Sequence, residues 1–136
     1  RTEALIAGQG QTEALERAAA YADAGADMVL VHSKQKTVDE IEAFIQAWDG
    51  RVPLVLVPTA YPEMTVERMR SLGKVRLAIW GNHALRAAVT AMQQVFARIL
   101  ADGGIHKVEA DLVTVAEIFR LQGMDGVKEI EQRFLR

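Results

Sequence analysis

The chain has 136 residues, half of them hydrophobic, which suffices for one buried core and excludes both a disordered segment and a string of domains. A formal charge of −2, with acids and bases interspersed, leaves no electrostatic footprint for nucleic acid or an anionic membrane. Cysteine is absent, no apolar run approaches the roughly 20 residues of a membrane span, and Arg1-Thr2-Glu3 is no signal peptide, so a soluble, cytoplasmic protein is expected.

Ala4-Leu5-Ile6-Ala7, closed by Gly8-Gln9-Gly10, reads as a first strand. A helix entered at Thr12 follows, with Ala14, Leu15, Ala18, Ala19 and Ala22 as its buried stripe and Gly25 as its stop. The stretch from Gly25 runs through five apolar residues, with Met28 to Val31 continuous and without polar alternation, the pattern of a parallel strand covered on both faces, and it ends on His32-Ser33. Thr37-Val38-Asp39-Glu40 has the spacing of a capping box, and Ile41, Phe44, Ile45 and Trp48 recur at helical spacing behind it. Val52 to Val57 predicts a third strand, with Pro53 near its start, followed by the loop Pro58-Thr59-Ala60-Tyr61-Pro62. Thr65 opens a short helix with Val66, Met69 and Leu72 inward. Val75 to Trp80 predicts a fourth strand, ended by Gly81-Asn82-His83, and a long helix then carries Leu85, Val89, Met92, Phe96 and Ile99 on one face until Asp102-Gly103-Gly104. Thr114 opens Ile118-Phe119-Arg120-Leu121 through a second capping box, and Val127, Ile130 and Phe134 mark a last helix with no strand between.

Strands beginning near residues 4, 27, 52 and 75 recur about every 24 residues and alternate strictly with helices, which implies an α/β fold with a parallel sheet and right-handed crossovers. Such a repeat suits a small open sheet or half of a (β/α)₈ barrel, whose complete form needs roughly 250 residues. A first strand without a leader and two final helices with no strand to cover favour the second half of a barrel, residues 1–104, with a helical extension over 105–136.

Parallel strands share one rim at their carboxyl ends, so Gly8-Gln9, His32-Ser33, Pro58-Thr59 and Asn82-His83 are expected to face a common space. Gly8 and Gly10 lack the spacing and the lysine of a phosphate loop and read as a turn. Asn82 reads as a helix cap and His83 as a first-turn residue; the Thr59 hydroxyl can serve either a ligand or the backbone. His32 stands where the apolar run ends rather than inside it, which points to ligand contact. Arg1 and Glu3, two residues apart on one strand face, read from physics alone as a salt-bridge pair or as solvated charges.

Arg1-Thr2-Glu3-Ala4-Leu5-Ile6-Ala7-Gly8, Ala24-Gly25-Ala26-Asp27, Val31-His32-Ser33-Lys34, Val57-Pro58-Thr59, Ile79-Trp80-Gly81-Asn82-His83 and Leu85-Arg86-Ala87 together resemble the phosphoenolpyruvate mutase/isocitrate lyase superfamily, in order through essentially the whole chain. Within it they look like the phosphonopyruvate branch, and Pro58 to Pro62 with Asp102-Gly103-Gly104-Ile105 look most like its hydrolysing members. The resemblance implies the second half of a (β/α)₈ barrel with a carboxy-terminal helical extension exchanged between subunits of a homo-oligomer, a dimer of dimers. It implies that Arg1 and His32 grip a phosphoryl group, with Ser33 and Thr59 as lesser substrate contacts, and that no metal ligand lies in this chain, the groups holding Mg²⁺ falling upstream of Arg1. The implied reaction is Mg²⁺-assisted cleavage of the carbon–phosphorus bond of phosphonopyruvate to pyruvate and phosphate. Interconversion with phosphoenolpyruvate is the alternative; a non-catalytic chain or a carbon–carbon lyase is weaker.

Overall fold

The computed structural model describes residues 1–135, so the final residue of the expected extension, Arg136, lies outside them. Two compact units divide the chain, Arg1–Leu85 and a second from Arg86 onward. The element order of the first is α1 (Gly10–Asp23), β1 (Val29–Leu30), α2 (Asp39–Ala47), β2 (Leu54–Leu56), α3 (Val66–Ser71) and β3 (Val75–Ala78), and α4 (His83–Asp102) starts within it. The three strands form a parallel sheet in the order β1-β2-β3, which agrees with the α/β alternation read from the sequence.

The first expected strand is not one. Ala4 to Gly8 form a turn, and the strand-like contact sits earlier, where Thr2 bridges Val31 in parallel. Hydrogen bonds from the Gly8 amide to the Leu5 carbonyl (3.1 Å) and from the Gln9 amide to the Ala4 carbonyl (2.9 Å) close this turn in the Schellman pattern, which needs the left-handed backbone of Gly8, φ 72°. Ala4 and Leu5 are apolar because they belong to the helix-packed core, not because they lie in a ladder. α1 accordingly begins at Gly10 rather than Thr12, and its other end closes by the same motif at Gly25, φ 95°.

Parallel pairing sorts the strand residues onto two faces. Val29, Val31, Leu54, Leu56 and Val75 pack with Ala14, Ala18, Ile41, Phe44, Ile45, Trp48 and Met69 from the three helices. The period of two along a strand sends Leu30, His32, Val55 and Leu77 to the opposite face. Register continues across a bulge at Arg76, so that Val55 stands beside Leu77. One face of the sheet is therefore covered by helices, while on the other face Leu77 is 47% exposed, Leu30 half-buried and Val55 buried apart from the helix-packed cluster.

The predicted helical stripes hold in α1 and α2, while Val66, expected inward on α3, is exposed. Thr65 does cap α3, accepting from the Arg68 amide at 3.2 Å. The capping box expected at Thr37 does not form: α2 starts at Asp39 behind Val38, the Thr37 hydroxyl donates to Asp39, and the Glu40 carboxylate turns instead to the Ser33 hydroxyl. A buried hydroxyl without another carboxylate in reach outcompetes an exposed backbone amide that water can satisfy.

In the second unit the rest of α4, a short 3₁₀ turn (Glu109–Asp111), α5 (Val115–Leu121) and α6 (Met124–Phe134) follow without a strand. Thr114 caps α5 by accepting from the Glu117 amide at 3.1 Å, although the Glu117 side chain pairs with Arg120 rather than returning to the cap. Phe96, Val115, Phe119, Ile130 and Phe134 are all more than half exposed. Among the described residues no helix is long and apolar enough to cross a membrane.

Leu56 is fully buried in the central strand, so Leu56→Ala should cost about 2–5 kcal/mol in urea unfolding, whereas Thr114→Ala should cost only about 1 kcal/mol. A Leu56→Ala cost below that of the cap would contradict a core centred on β2.

Candidate functional site

The amide of Thr2 donates to the Leu30 carbonyl at 3.0 Å, and the parallel bridge pairs Thr2 with Val31. Thr2 and Val31 are both fully buried on the helix side. Continuing that register puts Arg1 abreast of Leu30 and Glu3 abreast of His32, all on the open face. Arg1 and Glu3 form an ion pair there, each about half exposed.

His32 is half-buried at the carboxyl end of β1. Burial holds its pKa below the ordinary value, and the Arg1 guanidinium adds to that effect; the Glu3 carboxylate and the Val57 carbonyl oppose it. The imidazole is thus a neutral donor beside a permanent cation. This is chemistry suited to a tetrahedral anion: the arginine fork supplies charge and paired donors, while the imidazole supplies a hydrogen bond without a second desolvated cation.

Ser33 points the other way, as the strand period requires. It is fully buried, donates its hydroxyl to Glu40 and accepts from the Gln35 amide at 3.0 Å, while Gln11 donates to the Glu40 carbonyl at 2.6 Å. Helices α1 and α2 thereby hold the loop that leaves His32. Thr59 is half-buried on the loop after β2, with its amide donating to the Val57 carbonyl at 2.9 Å. His83 opens α4 and is exposed, as its first-turn reading implies.

Two parts of this arrangement escaped sequence reasoning. Tyr61, legible only as part of a proline-flanked loop, is fully buried with its ring centre 6.3 Å from that of His32. Glu40 carried the spacing of a capping residue, and no sequence pattern distinguishes that from a clamp on Ser33. A groove of about 240 Å³ between α3 and β3 is bordered by Met69, Arg70, Arg76 and Trp80, and does not include Arg1 or His32.

Magnesium requires an oxygen-rich, near-octahedral set of ligands. Among the described residues no three His, Asp or Glu side chains come together to hold a metal ion, and the Glu3 carboxylate is already engaged by Arg1. The described residues do not by themselves gather such a set.

The sequence pattern of the family described as phosphoenolpyruvate phosphomutase matches residues 1–100. The chain belongs to that family. Within the phosphoenolpyruvate phosphomutase family it is 57% identical, over all of its 136 residues, to the phosphonopyruvate hydrolase of Variovorax sp. (strain Pal2), covering 47% of that protein. It is 47% identical over 135 residues to the phosphoenolpyruvate phosphomutase of Tetrahymena pyriformis, covering 99% of this chain and 45% of that one. A crystal structure of phosphonopyruvate hydrolase in complex with oxalate and Mg²⁺ aligns with a TM-score of 0.92 at 57% identity, over 98% of this chain and 47% of that one. The chain spans about half the length of the curated relatives it matches.

Because the folded pKa of His32 lies below the unfolded value, its contribution to stability is complete above about pH 6.5 and is lost as pH falls through the folded value. Arg1→Gln should move the His32 titration upward and Glu3→Gln should move it downward, as read from its imidazole resonances. If neither substitution moves it, the three groups do not share a face.

Proposed function

We propose that this chain is the second half of a (β/α)₈ barrel, residues 1–104 with a helical extension over 105–136, and that the whole protein cleaves the carbon–phosphorus bond of phosphonopyruvate with water to give pyruvate and phosphate. The observation that carries the reading is the placing of Arg1 and His32 on one face of the parallel sheet, at the end of β1, in a chain 57% identical to a phosphonopyruvate hydrolase.

In this reading the Arg1 guanidinium grips the phosphoryl oxygens through two parallel donors and stays charged throughout. His32 donates a third hydrogen bond, and its neutral state keeps it from competing with Arg1 for the Glu3 carboxylate. Ser33, expected as a lesser substrate contact, is instead fully buried and donates to Glu40, so it holds the loop that leaves His32, and Thr59 lies on the loop after β2. The phosphoryl group changes its charge as the carbon–phosphorus bond breaks, and donors fixed in advance by the sheet stabilise that change without reorganising. Pyruvate leaves as its enolate, which takes a proton, and water supplies the oxygen of phosphate. Magnesium belongs to the proposal for the whole protein, held by residues outside this chain, since the described residues do not gather a ligand set for it.

The exposure of Leu77 and the half-burial of Leu30 on the face away from the helices support a further barrel half that packs over them. The exposed faces of α5 and α6 support a homo-oligomer, a dimer of dimers, in which these helices pack on a neighbouring subunit; exposed apolar patches of that kind are uncommon on soluble monomers.

The test is phosphate release from phosphonopyruvate by the intact protein with Mg²⁺. Phosphate in step with pyruvate is expected. Phosphoenolpyruvate without free phosphate would replace this reading by the phosphomutase one, and no turnover of either kind would overturn both. His32→Ala in the intact protein should lower turnover by about 10²-fold or more while leaving the melting temperature nearly unchanged, because a rim residue contributes little to the core.

A further inference from the structure

We propose that Tyr61 is the positioning residue for His32: its hydroxyl donates to His32 Nδ1, directly or through one trapped water, so that Nε2 carries the proton presented to the anion. The inference rests on the reading of His32 as an anion ligand, and its test separates the two.

Tyr61 lies on the loop between β2 and α3 and is fully buried. Its ring centre is 6.3 Å from that of His32, with the planes inclined by 42°. Both His32 Nδ1 and Tyr61 Oη are buried polar atoms without a hydrogen-bond partner. Each such orphan costs about 1–3 kcal/mol, and although the Ser33 backbone acts on Tyr61 and the Val57 backbone on His32, pairing with each other would satisfy both atoms. Ring centres at this separation are compatible with a phenol oxygen meeting an imidazole nitrogen directly or across one water. Nδ1 is already enclosed by atoms of this chain, so a group from a further barrel half does not reach it without displacing them.

The direction of donation follows from the surroundings. Burial pushes the Tyr61 phenol up to about 12, so the hydroxyl keeps its proton at neutral pH; the neighbouring Ser33 amide acts on the oxygen's lone pair and leaves that proton free. His32 is kept neutral by burial and by Arg1, against the Glu3 carboxylate and the Val57 carbonyl. A neutral imidazole that accepts at Nδ1 must carry its proton on Nε2. The other tautomer would turn a lone pair toward the phosphoryl oxygens and repel them.

The experiment uses the intact protein labelled with [¹⁵N]histidine, with His32 assigned by its loss in His32→Gln. In the unsubstituted protein, two-bond proton–nitrogen correlations at neutral pH should show the Nε2–H tautomer for His32; an Nδ1–H tautomer overturns the proposal without any variant needing to fold. Tyr61→Phe keeps the ring and its packing and removes only the donor. It should yield a mixture of tautomers, an upward movement of the His32 titration, and turnover lowered about tenfold, the loss expected for one hydrogen bond. An unchanged tautomer and titration in Tyr61→Phe would overturn the proposal, since a purely structural tyrosine predicts that result. Should Tyr61→Phe shift the tautomer while His32→Ala leaves turnover intact, the pairing stands and the anion reading falls.

Discussion

The hydrogen bond from the Thr2 amide to the Leu30 carbonyl is the constraint on which the rest of the site depends. It is a single bridge rather than a ladder, yet it fixes register, and register in a strand decides which face each side chain takes. Slipping the first residues by one position would bury Arg1 or Glu3 under α1 and α2 and send Thr2 to the open face. The core forbids this, because Thr2, Ala4 and Val31 are all fully buried and an unpaired charge among them would cost several kcal/mol.

From that register the electrostatics follow. Arg1 and Glu3 neutralise each other at the surface, and His32 beside them feels the cation more than the carboxylate, in addition to its own burial. The ion pair is half exposed and therefore weak on its own.

The helix side of the sheet serves the open side. Ser33, Glu40 and Gln11 form a chain of hydrogen bonds from α1 through α2 to the loop that leaves His32, and Tyr61 packs beneath the imidazole from the loop after β2. The groups proposed to meet substrate are held by groups that cannot reach it. This division matters for catalysis, since donors held in place before the bond breaks cost nothing to reorganise.

Several features of this protein were decided by sequence alone. The helical stripes Ala14-Ala18 and Ile41-Phe44-Ile45-Trp48, the glycine stop at Gly25, the caps at Thr65 and Thr114 and the parallel α/β order are all legible because each follows from a local period or a local backbone requirement. The motifs around Arg1, His32 and Asn82 sufficed to identify the family, which the match over residues 1–100 establishes. Only the tertiary structure decided the rest. Ala4 and Leu5 are apolar for a reason that a one-dimensional pattern cannot distinguish from a strand: they turn back onto the core instead of extending along it. Glu40 abandons the cap at Thr37 for Ser33, and Tyr61 comes to lie under His32, because both contacts join residues that are brought together by the sheet and not by spacing along the chain. Local periods are set by the geometry of one helix or strand; the partners of buried polar atoms are set by which elements pack together, and that is known only once the chain has folded.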